Sequence, residues 1–408
     1  MVGILRTSTD EPGDGRPRGA RLLFALALAL PTIAIAATAA LGARSSALQP
    51  ATIDVALLQP TSGPFAAHNL LLARGAGVAV QQLNASGGID HKVKIDLVER
   101  RLSATIDPGR TIASLGSKVR VVILPCNVDA ATPLASAAAR KKLLVLAPCN
   151  PDPQATAAIP LFWPVAMSGN QEAAQVVGYP AIRWNTKTAF ILTSKPATVY
   201  ETALVRYIRE VAARDRIRIV GEATVPLGGG NLTGLAKTLA KSSAEVIFTP
   251  IFSPYAEQII AKLRKAGMLK AVLATDGMDA QLDLSRYGRS ALNNVSFASY
   301  GFPQNSSKAF FRAYKQQFHD VPLGSFPALG LETIRTLAAG ITKAQSTDPA
   351  RISAAFAKGL SVSGVGFAGR RYPGGGAREP IAEVGIVDVI DGAYFASMSS
   401  IPVRVPAP

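Results

Sequence analysis

Cysteine is nearly absent from this chain: 408 residues hold two, Cys126 and Cys149. Histidine is almost as scarce, with His68, His91 and His319 far apart. There is no HExxH, no GxSxG and no cysteine pair at zinc-finger spacing, so the signatures of metallohydrolases and serine hydrolases are missing. No catalytic residue, metal or cofactor is expected, and the chain is not read as an enzyme. GxxxxGK[ST] is absent too. Gly228-Gly229-Gly230-Asn231 has the wrong spacing for a dinucleotide loop, and Asn231 reads instead as a helix N-cap after a flexible turn. Aromatics make up only 6% of the chain, Lys and Arg are scattered, and no recognition motif appears. Nucleic acid is therefore not an expected partner. Beyond the N-terminus no run is long and apolar enough to span a bilayer.

What is present is positive charge and length. Net charge is +16, and removing residues 1–39, with their four arginines and three acids, still leaves +15. The basic character belongs to the folded part. It is compatible with an acidic surface, an anionic small ligand, or a generally basic background. A chain this long exceeds one typical domain and favours two lobes. Residues 1–47 carry Arg6, Arg16, Arg18 and Arg21, then the apolar run LLFALALALPTIAIAATAALGA (22–43). Small-residue sites follow at Ala37–Ala39 and Ser45–Ala47. This is the pattern of a secretory signal. An uncleaved anchor is the alternative, because about 20 apolar residues can span a bilayer. Pro31 and the alanine-rich end favour cleavage, and export to the periplasm is expected.

After Pro50, short β-branched runs alternate with helix-period segments. Strands are expected at 53–59, 93–99, 119–125, 143–148, 188–194, 218–225, 245–251 and 271–276. Helices are expected near 67–84, 107–117, 132–142, 169–180, 198–214, 232–242, 254–266 and 307–318. Asn84-Ala85-Ser86-Gly87-Gly88 closes the first helix with glycines suited to a left-handed cap, and Ser168-x-x-Gln171 reads as a capping box. Alternating strand and helix implies an α/β class with parallel sheets covered on both faces. Runs such as VRVVILP are continuously apolar, as doubly covered strands are.

Both cysteines sit in a repeated Pro-Cys-Asn, at 125–127 and 148–150. Each repeat lies just past the end of a strand, and one helix separates the two strands. In a parallel sheet both ends face the same edge. Neighbouring strands lie about 4.8 Å apart, and a disulfide needs Cα atoms roughly 5.5–6 Å apart. If the strands are adjacent, Cys126 and Cys149 can bridge, as an exported pair commonly does. That edge is also where open α/β sheets bind ligands. Whether the pair touches ligand or only stiffens the rim stays open.

From residue 61 the sequence becomes specific. TSGPFAAHNLLLARGAGVAVQQLNASGGI (61–89) resembles the type I periplasmic binding proteins of the branched-chain amino acid (Leu/Ile/Val) ABC transporter family, with its Ser-Gly-Pro loop and a helix ending Asn-x-x-Gly-Gly. SKPATVYETAL (194–204), the stretch from Asn231 to Met268, and LATDGMD (273–279) resemble later segments in the family's order. The resemblance implies two Rossmann-like α/β lobes with parallel central sheets, joined by three crossovers near 166–169, 297–302 and 363–372. The first lobe would hold 51–166 plus 300–365, the second 167–299 plus 370–408, with a ligand cleft between them. The tail GIVDVIDGAYFASM (385–398) reads as strand, Asp-Gly turn and strand.

The resemblance also implies a site. The family takes an amino acid's carboxylate on hydroxyls and backbone N–H groups and its ammonium on an acidic side chain. Ser62 lies in the first loop, and His68 stands where the family usually has Tyr. Tyr200 matches a ligand-stacking Tyr, or is a structural one. Phe252 and Ser253 fall in the second-lobe loop. Asp276 matches the acid, or bonds its own turn. The departures concern the carboxylate. Where the family offers hydroxyls, this chain has Cys126, Asn127 and Asp129, then Cys149 and Asn150; Arg100-Arg101 replace a common acidic pair. Asp129 would repel a carboxylate if it faced the cleft, and the asparagines suit an amide or hydroxyl-rich ligand as well as an acid. A small polar or aromatic metabolite is expected rather than an ordinary branched-chain amino acid. The implied role is an extracytoplasmic solute-binding protein, monomeric, delivering its ligand to an inner-membrane permease. A periplasmic sensor on the same fold is the alternative.

Overall fold

The computed structural model describes residues 48–408 except 64, 104, 150–152, 281–283, 302–306, 323 and 364–368, and the side chain of Val128. The expected signal segment and Asn150 lie outside the described residues.

The first half alternates strand and helix. Its elements are β1 (Ala51–Pro60), α1 (Ala66–Ala85), β2 (Val93–Leu102), α2 (Pro108–Ala113), β3 (Val119–Ile123), α3 (Val128–Arg140), β4 (Leu144–Ala147), α4 (Pro153–Ala158) and β5 (Phe162–Pro164). The five strands form one sheet in the order β2-β1-β3-β4-β5, every pair parallel. β4 is buried along its whole length, as expected for a strand with helices on both faces.

A second run follows: α5 (Gly169–Arg183), β6 (Thr188–Lys195), α6 (Val199–Arg214), β7 (Arg218–Pro226), α7 (Thr233–Lys241), β8 (Val246–Thr249), α8 (Tyr255–Lys265), β9 (Ala271–Ala274) and β10 (Val295–Ser299). The chain then makes α9 (Lys308–Phe318), α10 (Phe326–Ala344) and α11 (Pro349–Ala357). A small antiparallel sheet comes next, of β11 (Leu360–Val362), β12 (Arg370–Tyr372) and β13 (Ile381–Ala382). β14 (Val384–Ile390) and β15 (Ala393–Ser400) complete a seven-stranded sheet, β15-β14-β10-β9-β8-β6-β7. The turn between β14 and β15 is the expected Asp-Gly, with Asp391 at φ 48° and Gly392 at 77°.

α10 crosses α1 at glycines. A Cβ on Gly75 would lie 2.0 Å from the Pro327 carbonyl oxygen, and one on Gly330 would lie 2.2 Å from that of Leu72. Backbone meets backbone here, so only glycine fits.

Two local expectations need correction. α7 begins at Thr233, with Leu232 rather than Asn231 at its cap position. Asn231 still accepts from the Thr233 N–H at 3.0 Å, one residue further out than expected. The third crossover also lies later than 363–372. β12 packs its Tyr372 on Trp163 and Phe356, and the chain enters the seven-stranded sheet only at Val384.

Candidate ligand site

In each large sheet the strand order reverses once, between β1 and β3 and between β6 and β8. Such switch points open a crevice beyond the carboxyl ends of the strands. The residues that line one small pocket come from those ends. Phe65 and His68 follow β1, Cys126 follows β3 and Cys149 follows β4. Tyr200 follows β6, Asp276 and Gly277 follow β9, and Phe326 opens α10. The cavity measures about 30 Å³, room for about two water molecules.

On the first sheet's side, β3 and β4 are neighbours, with Val121 paired to Leu144. Cys126 and Cys149 form a disulfide across their ends, Cα atoms 5.3 Å apart. Asn69 in the first turn of α1 secures this rim. Its Oδ1 accepts from the Cys126 N–H at 2.8 Å, and its Nδ2 donates to the Phe65 carbonyl at 2.8 Å.

On the second sheet's side, Thr198 and Glu201 form a reciprocal capping box that starts α6 and aims Tyr200. The Tyr200 hydroxyl donates to Asp276 Oδ1, and the Tyr300 hydroxyl donates to Asp276 Oδ2. The Asp276 N–H donates to Glu172 Oε1 at 2.5 Å. Gly277 must be glycine, because a Cβ would sit 2.9 Å from the Phe252 Cβ. Asp276 is 4% exposed, and among the described residues no Lys or Arg forms an ion pair with it. A basic protein thus holds an acidic centre.

Contacts cross between the two sides. His68 Nε2 lies 3.2 Å from the Gly277 carbonyl oxygen. Phe65 and Phe252 rings lie 4.5 Å apart, and Asp129 Oδ1 accepts from the Val199 N–H at 3.2 Å. Burial pushes the His68 pKa down, against smaller upward pulls from the Gly277 carbonyl and the Asp276 charge. Burial pushes the Tyr200 phenol far up, and the Asp276 charge adds to this.

Of the residues singled out from sequence, the cavity brings together His68, Cys126, Cys149, Tyr200 and Asp276. Ser62 is exposed on the loop outside it. Asn127 caps α3, accepting from the Asp129 N–H at 3.2 Å, and Asp129 itself reaches across to α6. Phe252 is fully buried behind Phe65, while Ser253 donates its N–H to Gly277 at 2.8 Å and its hydroxyl to Glu257. Arg100 and Arg101 are exposed on β2. Sequence reading did not single out Phe65, Asn69, Glu172, Gly277, Tyr300 or Phe326. The Phe in SGPF and the Gly after Asp276 were within quoted motifs. Glu172, Tyr300 and Phe326 come from distant segments with no local signal.

Known proteins resemble this chain over most of its length. The family model for periplasmic binding proteins matches residues 52–393. A Leu/Ile/Val-binding protein homolog of Brucella melitensis is 24% identical, over 81% of this chain and 88% of its own. Among solved structures, the branched-chain amino acid transporter substrate-binding protein LivJ of Streptococcus pneumoniae, in complex with isoleucine, superposes with a TM-score of 0.72 at 20% identity. That match covers 86% of this chain and 99% of LivJ. A solute-binding protein of an ABC transporter from Rhodopseudomonas palustris, in complex with 3,4-dihydroxybenzoic acid, gives 0.71 at 19% identity, over 87% and 99%.

Proposed function

This chain belongs to the periplasmic binding protein family, and on that premise we propose that it is an exported solute-binding protein of an ABC importer. It takes a small amino acid or related polar or aromatic metabolite into the cleft and delivers it to a membrane permease, without chemistry of its own. Residues 1–47 direct export. The lobes are 51–166 with 300–365 and 167–299 with 384–408, the small β11–β13 sheet lies between them in the chain, and the protein works as a monomer. The observation that carries this reading is the Asp276 carboxylate, buried where loops of both sheets meet and oriented by Tyr200 and Tyr300. A buried carboxylate with hydrogen-bond donors but no cation paired to it among the described residues is a binding group for a ligand's charge or N–H. The relatives point the same way by what they hold: isoleucine in one, an aromatic acid in another. Closure over the ligand is hinge motion, in which the solute favours the closed state. The cavity is too small to admit a solute without parting the lobes.

The test is thermal shift on protein unfolded and refolded to strip bound solute, against aliphatic amino acids, aromatic acids, amides and small polyols. A true ligand at 100 times its dissociation constant adds about 2.7 kcal/mol of stability. A clear shift with one class supports the reading. A folded protein that shifts with none contradicts it.

A further inference from the structure

α5 also forms one wall of a surface groove of about 690 Å³. The groove runs beside α5 from Ala174 to Arg183, with the end of β15 and residues 401–404 opposite. It shares no lining residue with the pocket at Asp276. We propose that this groove is a second binding site, for a single long-chain carboxylate such as a free fatty acid, with the chain along α5 and the head at the groove's unpaired arginines. The size fits, since small-molecule sites measure roughly 300–1,000 Å³. From Ala174 to Arg183 the helical wall is about 13 Å long. An acyl chain of one leaflet fills about 15 Å, half the bilayer's hydrocarbon core.

The lining is apolar where a chain would lie. Four of the eleven exposed large apolar side chains among the described residues stand round this groove: Ile182, Met398, Ile401 and Val403. Trp184, a fifth, packs edge-on against Tyr179 of the groove wall, ring centroids 5.4 Å apart. Apolar side chains exposed singly mean little, but a cluster marks a binding surface. At Gly178 the wall steps back, because a Cβ there would meet nothing within 4 Å. Glycine inside a helix is destabilising relative to alanine, and here no neighbouring atom requires it. The charges select an anion. Asp215 is the one acid lining the groove, and Arg214 holds both its oxygens, at 2.9 and 3.1 Å. Arg183 and Arg404 line the same groove, and neither forms an ion pair among the described residues. A guanidinium pairs well with a carboxylate. Gln175, also in the lining, is 5% exposed. Its Oε1 accepts from the Ser400 hydroxyl at 2.9 Å, and its Nε2 has no partner among the described residues. A buried donor without an acceptor is costly, and a carboxylate oxygen supplies one. A bilayer would meet only the rim and leave the recess and Gln175 unfilled.

Calorimetric titration of the exported protein, unfolded and refolded to strip bound lipid, tests this below micelle-forming concentrations. The probes are dodecanoate, octanoate and, as a cation of matched chain, dodecyltrimethylammonium. Dodecanoate is expected to bind one to one, with a change in tryptophan emission from Trp184. Each buried methylene is worth about fourfold in affinity, so octanoate should bind at least tenfold more weakly. Dodecyltrimethylammonium should also bind at least tenfold more weakly than dodecanoate. Gly178→Leu puts a side chain into the open space of the groove, and Arg183→Gln with Arg404→Gln removes the unpaired charges. Each variant, confirmed folded by circular dichroism, is expected to weaken dodecanoate tenfold or more. Folded wild-type protein that does not bind dodecanoate overturns the inference, and it does so equally if that protein sediments with phosphatidylglycerol vesicles instead. An affinity for dodecanoate that either variant leaves unchanged overturns it too, as does a cation bound as tightly as the carboxylate.

Discussion

Asp129, in the first turn of α3, accepts a hydrogen bond from the backbone N–H of Val199, the first residue of α6, at 3.2 Å. The bond joins the helix beyond β3 to the helix beyond β6, so it exists only when the two sides are together. A carboxylate at a helix N-terminus also meets the positive end of that helix. Asp129→Ala is expected to shift the ligand-free protein toward an open form. Because the contact is exposed, the cost in affinity is modest, about three- to tenfold. Small-angle scattering should show a larger radius of gyration for the variant without ligand. Identical scattering and affinity would mean that the clasp does not hold the lobes.

The disulfide closes a loop with a sequence separation of 23. By the chain-entropy relation such a closure is worth about 3 kcal/mol. Cys126→Ser with Cys149→Ser is expected to lose that much in urea unfolding. Wild type treated with alkylating agent but no reductant should carry no label. Two labelled thiols would show that the bridge does not form in the exported protein.

His68 ties stability to pH. Its imidazole protonates near pH 6.5 in the unfolded chain, and burial holds it neutral to lower pH in the folded one. Between those two values the unfolded state binds the extra proton, so stability is full above pH 6.5 and falls as pH falls below it. Glu201 and Glu257, whose carboxyls burial pushes up, act in the opposite direction. Comparison with a variant is therefore needed. His68→Gln should lose less stability than wild type between pH 7.5 and 5.5. Equal losses would remove His68 from the pH response.

Gly330→Ala places a methyl group 2.2 Å from the Leu72 carbonyl oxygen and 2.5 Å from the Ala76 nitrogen. The clash is with backbone, so α1 and α10 must separate. A loss of several kcal/mol is expected, at or above the usual 1–3 kcal/mol of overpacking. Gly234→Ala, in α7 with open space around it, should be neutral or slightly stabilising. A denaturation pair decides this, and similar midpoints would contradict the close crossing.

The parallel framework was legible because its strands are short apolar runs separated by helix-period segments, and the Asp-Gly turn of β14 and β15 was plain. α10 was not. From Phe326 to Ile334 every residue is buried, so no polar stripe marks a helical period. The Pro-Cys-Asn repeat located the rim and its bridge and also pointed to Asn127 and Asp129. Their chemistry suits a ligand, but Asn127 turns back to cap α3 and Asp129 turns outward to α6. Side-chain direction at a strand–helix junction depends on local backbone angles that residue type does not specify. Asp276 was found by motif, whereas its phenol partner Tyr300 is brought in by the end of β10, 24 residues on. Only the fold makes them neighbours.

The most direct measurement is calorimetric titration of stripped wild-type and Asp276→Asn protein with the best thermal-shift ligand. One-to-one binding with a negative heat-capacity change, lost or weakened at least thirtyfold in the variant, is the expected result. One-to-one binding that survives the substitution unchanged would place the solute elsewhere and contradict the assignment of this cleft.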